Sequence, residues 1–174
     1  MAQKEKQIKT VYLLRHAKAE NQDLKKNDHE RRLIDKGIRH AGKMAKLLED
    51  FRFPPEAIFT SSAARAHETA QIFAKALKLE NQLTVEDTLY SASQQAYLQR
   101  IQKMPEELSS VMIVGHNPSL SDLVGLLTLG EVGKLPVELK KGGIATLSRS
   151  AARGPGYRLD WVAPPALLRN LREE

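Results

Sequence analysis

The chain has 174 residues, 41% of them hydrophobic and 28% charged, with a formal net charge of +6 and no cysteine. These values suit one globular domain over residues 1–174 with its own core, and they exclude disulfides and thiolate metal sites. The positive balance favours anionic partners, while only 5% aromatic residues argue against a stacking platform for nucleic acid.

The opening "MAQKEKQIKT" lacks the apolar centre of a signal peptide. No apolar run approaches the ~20 residues that span a membrane, so a cytoplasmic protein is expected. "VYLLRHAKAE" then runs an apolar strand straight into Arg15 and His16. A strand covered on both faces reads as a continuous apolar run, and open α/β sheets bind ligands at the carboxyl ends of such strands.

A polar segment follows over residues 21–32, too charged for core and too long for a tight turn. "LIDKGIRHAGKMAKLLEDF" has helical spacing through Ile38, Met44, Leu47, Leu48 and Phe51, with Asp35 as its expected N-cap. Pro54 and Pro55 break that helix, and Ala57 to Thr60 form a short strand that turns at Ser61 and Ser62. The next helix, Ala64 to Leu77, directs Ala66, Ile72, Phe73 and Leu77 inward.

Thr84 to Glu86 read as a short strand and Gln94 to Met104 as a helix ending near Pro105. "SSVMIVGHNPSL" repeats the opening pattern: the buried strand Val111 to Val114 breaks at Gly115 and His116. Ser119 to Leu127 is a helix with Ser119 near its cap. "GGIATLSRS" and "GYRLDWVAP" close the chain as two strands joined by a turn at Gly154 to Gly156. Strands alternating with helices predict a three-layer α/β/α sandwich around a mostly parallel sheet, with an antiparallel edge from the last two strands.

Helices that start just after parallel strands place free N–H groups at one sheet edge. Arg15, His16, Arg65 and His116 gathered there would make an anion pocket, because arginine grips phosphate oxygens with a planar, permanently charged fork. A neutral imidazole can attack phosphorus without an activating base. The five histidines, His16, His29, His40, His67 and His116, form no HExxH motif and have no carboxylate at diagnostic metal spacing. A phosphate-binding P-loop and a GxSxG elbow are missing too. No metal and no cofactor is expected. The basic pairs Lys25 and Lys26, Arg31 and Arg32, and Lys140 and Lys141 read as solvated faces.

"LLRHAKAE" resembles the RHG/RHA signature of the histidine phosphatase superfamily, which includes phosphoglycerate mutases and acid phosphatases. "TSSAARAHETA" is similar to its S-x-x-x-R-A-x-x-T-A segment, and "VGHNPSL" to the second-histidine motif of its short bacterial branch. "ERRLIDKG" looks like the DRPL-x-x-x-G segment of the SixA-like phosphohistidine phosphatase group. The resemblance implies a phosphoglycerate mutase-like fold and a metal-independent phosphatase. In it His16 takes the phosphoryl group, Arg15 and Arg65 bind its oxygens, and His116 hydrogen-bonds one of them. Arg31 would reach the pocket or hold its loop.

Two departures matter. Arg32 stands where relatives usually have proline. "VEDTLYSAS" supplies no secure match for the glutamate general acid of larger relatives: Glu86 and Asp87 lie too early, and Tyr90 sits close to the expected place. Glu20, Asp28 and Glu30 remain candidate donors. A phosphoimidazole leaves more readily than an alkoxide, so the missing acid favours phosphohistidine in a partner protein as the substrate. A small phosphorylated metabolite, or a non-catalytic phosphate-binding or docking module, are the alternatives. The expected partner is a phosphate-bearing substrate, with no nucleic acid and no membrane, and the chain is expected as a monomer or weak dimer.

Overall fold

The computed structural model describes residues 8–23, 27–51, 54–149 and 156–169. Lys25, Lys26 and most of the Gly154 to Gly156 turn lie outside them. Six strands form one sheet: β1 (Thr10–Arg15), β2 (Ala57–Ser61), β3 (Leu83–Glu86), β4 (Ser110–Gly115), β5 (Ile144–Arg149) and β6 (Tyr157–Ala163). Their order is β3-β2-β4-β1-β5-β6. The first four are mutually parallel, while β5 and β6 add the antiparallel edge.

Both faces of β1 and β4 are covered, which explains their unbroken apolar runs. Val11, Leu13, Val111 and Ile113 pack on one face with Tyr97, Leu120 and Leu123. Those partners come from α3 (Gln94–Gln102) and α4 (Ser119–Leu129). Tyr12, Leu14, Met112 and Val114 pack on the other with Met44, Leu48 and Phe73 from α1 (Asp35–Glu49) and α2 (Ala64–Leu77). Burying each such Leu, Ile or Val side chain contributes about 1.5–3 kcal/mol. The three-layer sandwich expected from the alternation is the fold observed.

Local details differ from the sequence reading. The cap of α1 is Ile34, with Asp35 as the first helical residue. Asp35 therefore favours the helix through its charge near the positive N-terminus, not through a side-chain cap. The buried stripe of α1 is Gly37, Ala41, Met44, Ala45 and Leu48. Ile38 lies off that stripe and is exposed, and Phe51, past the helix end, is exposed and stacks on Trp161 with centroids 5.3 Å apart. Gly37 has a steric reason: a Cβ there would meet the Lys18 carbonyl oxygen at 2.0 Å. The helix thus lies directly on the chain leaving β1. Pro118 caps α4, so Ser119 is inside it, and the helix continues to Leu129.

Candidate active site

Parallel register brings the two histidines together. Arg15 of β1 pairs with Gly115 of β4, so His16 and His116 leave the sheet side by side. The His16 main-chain N–H donates to the Gly115 carbonyl at 3.0 Å, and the two imidazole centroids lie 5.2 Å apart. Strand β2, also paired with β4, ends beside them at Ser61. The buried stripe of α2 begins with Arg65, Ala66 and Thr69, so the face that packs on the sheet also delivers Arg65 to this edge.

His16 is 6% exposed. Its Nδ1 lies 2.8 Å from the Ala17 carbonyl oxygen, which can only accept, so Nδ1 holds the proton and Nε2 keeps a free lone pair. Burial pushes the imidazolium pKa down to about 3. The Ala17 bond opposes this, and the charges of His116, Arg65 and Arg15 reinforce it. The ring is therefore neutral near pH 7. Thr69 fixes the same corner: its Oγ1 accepts from Ala17 N–H at 3.0 Å and donates to the Arg65 carbonyl at 2.7 Å.

His116 is held differently. Its Nε2 lies 2.8 Å from Ser61 Oγ, which already accepts from Ala63 N–H at 3.2 Å. The serine oxygen keeps a second lone pair, so the direction of this hydrogen bond follows the tautomer of His116. Nδ1 is buried with no hydrogen-bond partner among the described residues. Burial, followed by the charge of Arg65, lowers the pKa of His116 to about 4. Behind it, a Cβ at Gly115 would meet the Tyr97 hydroxyl at 2.2 Å. That hydroxyl donates to the Leu89 carbonyl at 3.1 Å.

The arginines converge on one carboxylate. Arg65 donates to the Asp28 carbonyl at 2.7 Å and to Asp28 Oδ2 at 2.9 Å. Arg31 binds Asp28 Oδ1 through Nε and a terminal nitrogen at 2.8 and 2.7 Å, and reaches the Glu20 carbonyl at 2.7 Å. The Tyr90 hydroxyl donates to Asp28 Oδ2 at 3.0 Å. Burial raises the Asp28 pKa, but the bonds from Arg31 and Tyr90 and the charges of Arg65 and Arg31 outweigh it and hold it at about 2. Arg15 donates to the Leu139 carbonyl at 2.8 Å, as does the Asn117 side chain at 2.9 Å. The Nε groups of Arg15 and Arg65 are buried without a partner among the described residues.

The structure thus brings Arg15, His16, Arg65 and His116 to one sheet edge, with Arg31 close by through Asp28. Of the candidate donors, Asp28 is inside the cluster and ionised, while the Glu20 carboxylate instead accepts from Arg32 N–H at 3.0 Å. Glu86 is turned away onto Arg100 at 2.7 Å. Arg32, in the place of the usual proline, pairs with Glu68 at 2.6 Å. Ser61 and Thr69 are fixed positions of the S-x-x-x-R-A-x-x-T-A segment to which sequence reasoning gave no role, and it missed Tyr97 and the full role of Tyr90. For Thr69 a signal existed, since it lies four residues beyond Arg65 on the same helical face.

A sequence model described as the histidine phosphatase superfamily (branch 1) matches residues 11–93. An uncharacterized Picosynechococcus protein is 30% identical over 146 residues, covering 82% of this chain and 87% of that protein. A structure assigned as the phosphohistidine phosphatase SixA of Agrobacterium tumefaciens is 31% identical, with a TM-score of 0.77 over 91% of this chain and 99% of that one.

The chain belongs to the histidine phosphatase superfamily.

A tungstate complex of the protein histidine phosphatase SixA, 24% identical, shares the fold with a TM-score of 0.76, over 91% of this chain and 99% of that one. Membership supports a phosphatase. Among the described residues, no group of three or more histidine, aspartate or glutamate side chains gathers to hold a metal ion. No helix there is long and apolar enough to cross a membrane.

Proposed function

We propose that the chain acts as one histidine phosphatase domain, metal-independent, that hydrolyses phosphohistidine in a partner protein through a phosphoenzyme on His16. The observation that carries this reading is the state of His16: buried, neutral, its Nδ1 proton fixed on Ala17 and its Nε2 lone pair free beside two arginines. Nε2 attacks phosphorus in line, the substrate's P–N bond breaks, and the departing imidazole takes a proton from solvent. Water then attacks the phosphoryl group on His16, releasing inorganic phosphate and the neutral ring.

Arg15 and Arg65 offer buried, unpartnered Nε–H groups to the phosphoryl oxygens, and His116, in the tautomer with its proton on the unpartnered Nδ1, adds a further donor. Fixed donors aimed at developing charge are usually the largest catalytic contribution. Asp28 orients Arg65 through a terminal nitrogen and Arg31 through Nε and a terminal nitrogen. Ionised at neutral pH, it is a poor proton donor for an alkoxide, and a phosphoimidazole needs such a donor least. The Agrobacterium relative and the oxyanion in the SixA tungstate complex point the same way.

The test compares turnover of a phosphohistidine-bearing protein with that of a panel of phosphate monoesters, without added metal and with His16→Ala as control. Fast, His16-dependent turnover of the phosphohistidine is expected. Preference for a monoester would overturn the substrate assignment and leave the superfamily chemistry standing.

A further inference from the structure

A second cationic site adjoins the first. A groove of about 330 Å³ is lined by Lys18, Lys36, His40, Lys140 and Lys141, with Pro164 and Pro165 forming an apolar wall. Three tethers hold it against the catalytic strand. Lys18 is two residues beyond His16, and its carbonyl accepts from Ile34 N–H at 3.1 Å, which docks the first turn of α1 and therefore Lys36. Gly142 N–H donates to the Arg15 and His16 carbonyls at 3.0 Å each, which fixes Lys140 and Lys141 at the same edge. The absent side chain of Gly37 permits the close approach of α1.

Like charges held this close repel one another unless an anion joins them. Lys140 pairs with Glu138 at 2.5 Å, whereas Lys18, Lys36 and Lys141 form no ion pair among the described residues. Burial, then the charges of Arg15, Arg31, Lys18 and Arg65, press the Lys141 pKa down. The groove and the catalytic arginines are thus one continuous positive field, with Lys141 at the junction.

We propose that this groove is a substrate-recognition subsite that seats acidic side chains flanking the phosphohistidine of the partner protein. The inference rests on the phosphohistidine reading above. Lysines are point charges on flexible stems, fitted to several carboxylates in loose geometry, whereas the planar guanidinium fork of arginine suits a single phosphoryl group. The proline wall supplies apolar contact for the aliphatic parts of a bound peptide. A positive rim beside a reacting centre raises the encounter rate and selects acidic partners.

The experiment measures kcat/KM for free phosphohistidine, for a phosphohistidine peptide flanked by aspartate and glutamate, and for the same peptide with neutral flanks. It is repeated on a Lys36→Glu, Lys140→Glu double variant, whose two sites are exposed and therefore tolerant of substitution. The wild type should favour the acidic flanks by about tenfold or more, chiefly in KM, and lose that preference as ionic strength rises. The variant should lose the preference while keeping its turnover of free phosphohistidine. Equal turnover of both peptides by the wild type, or a preference that survives in the variant, would overturn the subsite.

Titration with an unphosphorylated glutamate-rich peptide separates this failure from failure of the phosphohistidine reading. Suppose the wild type cleaves only monoesters. Salt-sensitive binding of that peptide, lost in the variant, would still sustain an acidic-segment site, and absent binding would overturn it.

Discussion

The two walls of the pocket are built on opposite principles. The strand-end wall, with Arg15, His16 and His116, is the deeper one: His16 is buried, Arg15 and His116 are half-buried, and the imidazoles are kept neutral chiefly by desolvation. The loop wall, with Asp28, Arg31 and Tyr90, is partly open and carries charge on Asp28 and Arg31, and Asp28 is held ionised by hydrogen bonds and arginine charge. One wall makes a nucleophile and the other sets the direction of the cations. A phosphoryl group between them meets a neutral attacker and preoriented positive charge, the combination that phosphoryl transfer requires.

Removing the nucleophile is the harshest way to break this division. His16→Ala should lower turnover by on the order of 10⁴-fold or more with the fold retained, as checked by steady-state assay and circular dichroism. Arg65→Ala should follow, with a loss of about 10²- to 10³-fold in kcat/KM, because a donor to the transition state disappears.

The loop wall should be gentler. Asp28→Ala releases Arg65 and Arg31 from their common anchor and should cost about 10- to 100-fold in kcat/KM, the scale of misplaced groups. Tyr90→Phe removes a single hydrogen bond to Asp28 and should cost only severalfold, about 1 kcal/mol. If Asp28→Ala were as damaging as His16→Ala, the carboxylate would belong to the chemistry and the two-wall distinction would fail.

Acid sharpens the same contrast. The acid limb of kcat/KM, corrected for substrate ionisation, should lie near the His16 value of about 3, well below the ordinary 6.5. Stability has a matching sign. Below pH 6.5 the unfolded chain protonates His16 and His116, and the native chain does not until about 3 to 4. Stability is thus full above pH 6.5 and is lost as pH falls toward those values. Asp28 adds a further loss between its ordinary 3.8 and about 2. Urea midpoints across pH 4–7 should fall with acid, and less steeply in a His16→Ala, His116→Ala double variant.

The strand-end wall was legible in sequence because each of its residues stands where an apolar run stops, and a run of that kind ends at one edge of a parallel sheet. Helix faces were legible where the spacing was regular, as for Met44 and Leu48, and failed for Ile38 and Phe51, which lie off the buried stripe. The loop wall was legible only residue by residue, with Arg31 in the family segment, Asp28 as a candidate donor and Tyr90 near the expected acid. Its organising contact joins Asp28 to Tyr90 across 62 positions, and no local pattern encodes a partner so distant. Ser61 opens the S-x-x-x-R-A-x-x-T-A segment, but its role was hidden for a similar reason, since its bond to His116 depends on β2 lying beside β4.

The most direct measurement is rapid-quench trapping of the phosphoenzyme with a labelled phosphohistidine substrate, followed by mass spectrometry of the labelled peptide. The account predicts an acid-labile, alkali-stable phosphoryl group on His16, formed and consumed at rates consistent with turnover and absent from His16→Ala. Label on another residue, or full turnover without any phosphoenzyme, would contradict it.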